Sequence, residues 1–284
     1  MDLSVVVVTY RSRAHIADCL RSLERARDGL AMDVLVVDNA SDDGTLDEVR
    51  AAAPWVRTIP TGDNLGYAKA VNVGIRESEG AFVLVLNPDC VVRPDALRAL
   101  HDWMGAHPRC GIAGPKIRNT DGSIEYSGRS FPGAAAFLFN RYSLLTLVWP
   151  GNPWSRRYLL SDWDRKTPRS VDWISGACMC VRREAIEQVG GMDEVYFMFN
   201  EDVDWCRVMK DGGWSVDVVP AAVITHHVGA SRGKVAEKVI VERHRGMLHY
   251  FRKHHRPHPL LARFVGAAIM IRARLMLARN ARRP

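Results

Sequence analysis

An α/β fold built on a parallel, doubly wound sheet is what this sequence predicts, and three observations carry the prediction. Apolar runs rich in β-branched residues recur at positions 3–9, 33–38 and 81–86, the composition of strands covered on both faces. Stretches with apolar residues at helical spacing separate them. Strands alternating with helices in this way wind an open sheet with helices on both sides.

The elements follow in order. Residues 3–9 form the first strand. A helix over about 14–27 places Ile16, Leu20 and Leu23 on one face. The second strand, 33–38, ends at Asp38, and Ser41-Asp-Asp-Gly44 supplies a turn and a helix start. A short third strand lies at 56–60, a helix at 66–77 and a fourth buried strand at 81–86. Pro94 suits the first turn of a helix that ends near His107. Beyond residue 110 the regularity fades. Residues 119–170 hold Asp121-Gly122, Phe131-Pro132, Trp149-Pro150 and Pro153-Trp154, which predict a hairpin and then a long mobile loop. Order returns at 171–181, with helices over 183–189 and 201–211 and strands at 215–219 and 222–225. From 234 to 283 the chain reads as mostly helical, broken at Pro257 and Pro259.

The 284 residues suit one large α/β domain, or such a core with a smaller appended segment, and 47% hydrophobic with 25% charged residues describes an ordered globular chain. Six cysteines without a CxxC pair argue against a disulfide framework or zinc site and for buried, reduced thiols. The first apolar run is too short and lacks the basic flank of a signal peptide. No run approaches the roughly 20 apolar residues of a membrane span. The net charge of +7 is uneven: residues 243–284 carry eleven of the 39 Lys and Arg and no Asp or Glu, so the remainder is slightly acidic. A basic tail of this kind suits an anionic surface.

Ligands of open parallel sheets bind beyond the carboxyl ends of the strands. Here those ends carry Thr9-Tyr10, Asp38-Asn39 and Asn87-Pro88-Asp89. No GxGxxG follows the first strand and no GxxxxGK[ST] is present, which disfavours dinucleotide and P-loop sites. Residues 39–50 resemble a calcium loop only faintly, since the twelfth position is Arg50. Asp89 after an apolar strand suits a Mg2+ or Mn2+ ligand, or equally a turn residue. Glu201, Asp202 and Asp204 open a helix, where acids either complement the helix dipole or supply a general base. Of the pair His226-His227, either ring could ligate a metal or simply face solvent. No Ser/His/Asp or Cys/His nucleophile arrangement is evident.

Taken together, these motifs resemble the family 2 glycosyltransferases. The resemblance is carried by Val5-Val-Val-Val-Thr9-Tyr10, Val37-Asp38-Asn-Ala-Ser-Asp-Asp-Gly44-Thr45, Asn64-Leu-Gly66-Tyr-Ala-Lys69-Ala-Val-Asn72 and Leu86-Asn-Pro-Asp89. Trp173-Ile-Ser-Gly176-Ala177, Gly190-Gly191-Met-Asp193-Glu194, Asn200-Glu201-Asp202-Val-Asp204 and Val223-Ile-Thr-His226-His-Val-Gly229 continue it in order. It spans about residues 3–231 and is most like the bacterial rhamnosyltransferase branch, which the stretch from Trp149 to Trp154 and the basic tail support.

The resemblance implies a GT-A fold, a Rossmann-like, mostly parallel sheet flanked by helices, with residues 1–231 as the catalytic domain. Within it, about 1–115 would bind the nucleotide sugar and 116–231 the acceptor, and 232–284 would be a basic helical extension. It implies a nucleotide-diphosphate-sugar donor, Mg2+ or Mn2+, and inversion at the anomeric carbon. Donor-binding positions by this correspondence are Thr9, Tyr10, Asp38, Asn64, Gly66, Lys69, Asn87 and Asp89, with Tyr10 near the nucleobase and Asp38 at base or ribose. Asp89 and His226 would hold the metal, with His227 as the second choice for the imidazole. The DxD-type motif reads Asn87-Pro88-Asp89 here, so one of its carboxylates is absent. Asp202 matches the catalytic base beside Glu201, and Trp173, Gly176 and Asp204 fall on the acceptor side. The first expected reaction is transfer of rhamnose from dTDP-rhamnose to a hydroxyl of a lipid-linked or polysaccharide acceptor in cell-envelope glycan synthesis. The alternatives are a nucleotide-sugar-forming nucleotidylyltransferase, disfavoured by the glycine-free loop Tyr10-Arg-Ser-Arg13, and a catalytically silent binding subunit.

The tail from Pro259 reads as a helix with Leu260, Leu261, Phe264, Ala268, Ile271 and Leu275 on one side, and arginines on the other side and at the end. This predicts an interfacial helix on an anionic membrane, with a core-packed helix as the plainer alternative. No nucleic-acid motif accompanies the charge. The expected location is the cytoplasm, peripheral on the inner face of the plasma membrane.

Overall fold

The computed structural model describes residues 1–133, 149, 152–227 and 236–281. Among them, nine strands form one sheet: β1 (Leu3–Thr9), β2 (Met32–Asp38), β3 (Arg57–Pro60), β4 (Phe82–Leu86), β5 (Cys90–Val92), β6 (Cys110–Asn119), β7 (Arg169–Ser170), β8 (Cys178–Arg182) and β9 (Ser215–His226). Their order is β3-β2-β1-β4-β8-β6-β9-β5, with β7 beside β9. The helices are α1 (Arg13–Arg25), α2 (Thr45–Ala52), α3 (Tyr67–Arg76), α4 (Ala96–Ala106), α5 (Pro153–Leu159), α6 (Arg183–Val189), α7 (Glu201–Asp211), α8 (Glu237–His255) and α9 (Pro259–Ala281).

The run of valines in β1 makes sense once its neighbours are in place. Every residue of β1 is buried, and Val6 pairs with Leu35 on one side and Val85 on the other, both parallel. Period-two alternation then sorts the strands into two apolar layers. Val5, Val7, Val34, Val36, Leu84 and Leu86 face α1 and α4; Val6, Val8, Val37, Val83 and Val85 face α3, α6 and α7. Truncating a fully buried member such as Leu84 to Ala would cost roughly 2–5 kcal/mol. Because α1 and α3 cross on opposite faces, the winding reverses between β1 and β4, the place where such sheets bind ligands.

Across β3, β2, β1 and β4 the sheet is parallel, as the sequence predicts; beyond β4 it is mixed. β8 runs antiparallel to both β4 and β6, β6 and β9 are parallel, and β5 returns antiparallel to β9. β5, β6 and β7 were not expected. β5 and β7 are too short to carry a pattern, and Gly111, Gly114 and Pro115 interrupt β6. The two strands expected at 215–219 and 222–225 are one strand with a bulge: pairing with β6 jumps from Pro115↔Val219 to Lys116↔Val223, leaving Pro220 outside the ladder it cannot serve.

The Asp121-Gly122 turn forms, with Gly122 at φ +81 and a bridge between Arg118 and Ile124. Of the loop expected after it, residues 134–148 lie outside the described residues, and the rest is partly ordered into α5. Asn152 caps α5, accepting the Ser155 amide at 2.9 Å, and Pro153 follows at the first turn. All six cysteines are buried and free.

At the C-terminal end, α8 joins the core by Ile240, Met247, Tyr250 and Phe251. Arg256 (φ +40) and Pro257 break the helix where expected. α9 turns Gly266, Ile269 and Ala273 inward, with Gly266 beside Leu248 of α8. The opposite face leaves Leu260, Phe264, Ile271 and Leu275 exposed. The expected division into apolar and arginine sides is therefore corrected: the far side is a packing face, and at 100° per residue Arg263, Arg274 and Arg279 flank the apolar stripe. No helix among the described residues is long and apolar enough to cross a membrane.

Candidate active site

The carboxyl ends of β1, β2 and β4 form one rim of the cleft. Thr9 Oγ1 donates to Asp38 Oδ1 at 2.7 Å, and Ser41 donates to the same carboxylate through its hydroxyl (2.6 Å) and amide (2.9 Å). Asp38 is buried with both oxygens bonded, so it braces the two loops, while Tyr10 stands exposed at the rim beside the Arg11 guanidinium. Asn64 Oδ1 accepts the Gly66 amide at 3.1 Å and shapes the turn into α3. Gly66 has φ +87, and a Cβ there would meet the Phe197 carbonyl oxygen at 2.7 Å, so the position requires glycine. Lys69 is exposed on α3.

Tyr67, which the sequence reading passed over, ties the rim together. Its hydroxyl contacts Asn87 Oδ1 (3.1 Å) and the Gly176 carbonyl (3.0 Å). It lies within electrostatic reach of Glu201, Asp202 and Asp89, and burial pushes it well above the ordinary phenol value. Asn87 thus braces the loop that carries Asp89.

The β5–β9 ladder sets Cys90 opposite His226 and so brings Asp89 to the histidine. Asp89 Oδ1 lies 3.2 Å from His226 Nε2 as an ion pair without hydrogen-bond alignment, and that buried oxygen has no aligned donor. The other ring nitrogen, Nδ1, is 3.0 Å from Glu125 Oε2. Burial alone would lower the His226 pKa, but Asp89 and Glu125 outweigh it and raise the value to about 9. His227 turns away: its amide donates to the Asp89 carbonyl and its ring faces His15 at 5.8 Å. Cys90 shares the cluster with Asp89 and His226, but its buried thiol contacts the Ala177 carbonyl and is pushed far up, hence neutral. A divalent cation would take the place of the imidazolium proton between Asp89 and His226, which offer it one oxygen and one nitrogen ligand.

On the facing side, α7 starts at Asn200 in the left-handed region (φ +73) and presents Glu201 and Asp202 in its first turn. Asp202 accepts the Gly176 amide at 3.0 Å and the Val203 amide at 2.8 Å. Burial raises its pKa against those two donors. Burial and the adjacent Asp202 charge push the Glu201 carboxyl well up, and its Oε2 has no hydrogen-bond partner. A half-buried carboxylate with a raised pKa is the kind of group that takes a proton near neutral pH. Trp173 is buried, donating from Nε1 to the Ser130 carbonyl.

Asp204 does not face the cleft. It is 1% exposed and takes Tyr196 Oη (3.1 Å), Lys253 Nζ (2.8 Å) and His254 Nε2 (2.7 Å). The acceptor-side expectation is corrected accordingly: its carboxylate is consumed in fastening α8 to α7. Asp193 joins that cluster through His249 (3.1 Å) and Lys253 (2.8 Å). Asn72 holds the neighbouring segment by bonds to both Met192 backbone groups.

Three parallel strand ends facing an acid-tipped helix are the plan of GT-A glycosyltransferases, and the fold matches theirs. A mannosyltransferase from Pyrobaculum calidifontis, solved with GDP-Man and Mn2+, superposes with a TM-score of 0.60 at 21% identity, covering 98% of this chain and 79% of that one. The "Glycosyl transferase family 2" model matches residues 4–190, and a "Glycosyl transferase family 21" model matches 166–278. The chain belongs to glycosyl transferase family 2 and is a glycosyltransferase. It is 40% identical to N-acetylglucosaminyl-diphospho-decaprenol L-rhamnosyltransferase of Mycobacterium tuberculosis, over 82% of this chain and 78% of the relative. It is 29% identical to dTDP-rhamnosyl transferase RfbF of Shigella flexneri, over 71% of this chain and 62% of the relative.

Proposed function

We propose that this enzyme moves L-rhamnose from dTDP-rhamnose to a sugar hydroxyl of a lipid-linked diphosphate acceptor in cell-envelope glycan synthesis. The observation that carries the reading is the 40% identity, over most of both chains, with a transferase named for an N-acetylglucosaminyl-diphospho-decaprenol acceptor. The Shigella flexneri relative, named for a dTDP-rhamnosyl group, supports the donor.

Asp89 and His226 are the residues that would hold Mg2+ or Mn2+, and a cation there would supply charge neutralisation of the departing diphosphate. Glu125 on the far ring nitrogen fixes the orientation of His226. Asp202 receives the proton of the acceptor hydroxyl as its oxygen attacks the anomeric carbon from the face opposite the diphosphate. The bond to the diphosphate breaks as the glycosidic bond forms, and the configuration inverts. The rim of Thr9, Tyr10, Asp38, Asn64 and Gly66 orients the nucleotide, with Lys69 at its edge. The exposed stripe of α9 with its flanking arginines supports a peripheral position on an anionic membrane, at the inner face of the plasma membrane.

The test is incubation of the enzyme and Mn2+ or Mg2+ with an N-acetylglucosaminyl diphosphate lipid and dTDP-, UDP- or GDP-sugars, followed by mass spectrometry of the lipid. Rhamnosylated product from dTDP-rhamnose is expected. A product formed only from another donor would replace the sugar assignment, and no product from any donor would overturn the acceptor.

A further inference from the structure

Among the described residues Arg129, Arg243 and Arg272 form no ion pair, and Asp202 feels the charge of Arg129. Arg129 lays its guanidinium over the Trp173 ring, 4.8 Å from the centroid. Arg243 of α8 lies 5.3 Å over the Phe199 ring, and its carbonyl accepts Asn200 Nδ2 at 3.2 Å. α8 can come this close to the start of α7 because residue 246 is glycine: a Cβ there would sit 2.9 Å from Asn200 Nδ2. Arg272 of α9 stands within electrostatic reach of Arg243. The buried Tyr158 hydroxyl feels Arg129, Asp202 and Arg243 together, so these groups surround one side chain.

What sets this cluster off from a solvated basic surface is its unmet bonding. Arg272 Nη1 is buried with no hydrogen-bond partner, and so is Nε2 of His244, a side chain 1% exposed beside both Arg243 and Arg272. Among the described residues none of the three arginines forms an ion pair, whereas Arg207 and Arg245 nearby do. The segments 134–148, 228–235 and 282–284 contain no Asp or Glu. Crowded cations with buried, unused donors are costly unless an anion satisfies them. Guanidinium groups match the oxygens of a phosphate bidentately.

We propose that Arg243 and Arg272, together with Arg129, bind the diphosphate of the lipid-linked acceptor. The sugar hydroxyl then falls at Asp202, and the hydrocarbon runs toward the exposed stripe of α9. The inference rests on the acceptor class proposed above and adds the site that recognises it.

The test compares wild type with Arg243→Gln and Arg272→Gln, using an N-acetylglucosaminyl diphosphate lipid and a phosphate-free alkyl N-acetylglucosaminide. Each variant is expected to lower the preference for the diphosphate acceptor about tenfold or more in kcat/KM, as loss of a charged hydrogen bond does. Farnesyl diphosphate should also protect wild type against thermal unfolding and protect each variant less. Unchanged protection by dTDP-rhamnose reports an intact fold in the variants. If wild type uses the diphosphate lipid and the variants keep its full preference, the subsite is wrong while the acceptor assignment stands. If wild type itself prefers the phosphate-free acceptor, the acceptor assignment falls and the subsite with it.

Discussion

Glu125 Oε2 lies 3.0 Å from His226 Nδ1, on the side of the ring away from Asp89. A carboxylate there fixes which nitrogen faces the metal position and raises the basicity of that nitrogen. Glu125→Gln keeps the shape and removes the charge. It should weaken Mn2+ binding about 10- to 100-fold, as removal of such partners does. Isothermal titration of Mn2+ in the presence of dTDP reads this directly. Unchanged affinity would reduce Glu125 to a structural contact.

Asp202 and Glu201 should separate cleanly in kinetics. Asp202→Asn should lower kcat by about 10²–10⁴-fold, the contribution of a positioned general base. Donor binding, read by thermal shift with dTDP-rhamnose, should survive, because Asp202 bonds the Gly176 and Val203 amides and not Thr9, Tyr10 or Asp38. Glu201→Gln should keep most of the rate, since burial and the Asp202 charge push this carboxyl toward the uncharged form that Gln imitates. Equal losses in both variants would mean that the pair acts as one unit.

These residues differ in how far the sequence reveals them. β1, β2 and β4 are legible because their apolar runs need cover on both faces, and the polar residue closing each run then marks the cleft. Asp202, Asp89 and His226 follow from motif order. Glu125 does not, because it sits in a turn-rich stretch and meets His226 only through the β6–β9 pairing. Tyr67 looks like an ordinary helix residue until its hydroxyl is seen between Asn87 and Gly176. Motif correspondence assigns Asp204 to the acceptor side together with Asp202's helix, yet two residues along a helix point about 200° apart. The same helical arithmetic, applied to α8, would have flagged Lys253 and His254 as cations in need of a buried acid.

The Asp193–Asp204–Lys253 cluster carries a stability prediction with a defined sign. Burial would raise Asp193, but Lys253, the Val195 amide and His249 outweigh it and lower its pKa to about 2 from 3.8. A carboxyl lowered on folding contributes stability that is complete above its unfolded value and lost as the pH falls through its folded one. Stability should therefore decline between about pH 4 and pH 2, and Asp193→Asn should flatten part of that decline. At neutral pH Lys253→Met should cost about 3 kcal/mol, because it removes a charged partner from the buried Asp204. Urea unfolding of the three proteins at several pH values tests both statements, and a loss under about 1 kcal/mol for Lys253→Met would show that the cluster does not hold α8.

α9 offers a test in which stability and binding should move independently. Phe264, Ile271 and Leu275 are 69%, 58% and 66% exposed, so replacing all three by Ser removes little packing. Urea unfolding should be nearly unchanged. Each of these side chains contributes about 1.5 kcal/mol or more when buried in an apolar phase. The triple variant should thus lose about a hundredfold or more of its partition onto anionic liposomes. Arg263→Gln with Arg274→Gln should act differently, lowering binding at low salt and little at high salt, because their attraction to lipid headgroups is screened. Co-sedimentation with vesicles of anionic phospholipid, at low and high salt, separates the two contributions. Full binding by the triple variant would leave the stripe without a membrane role, even if the arginine variant responded to salt.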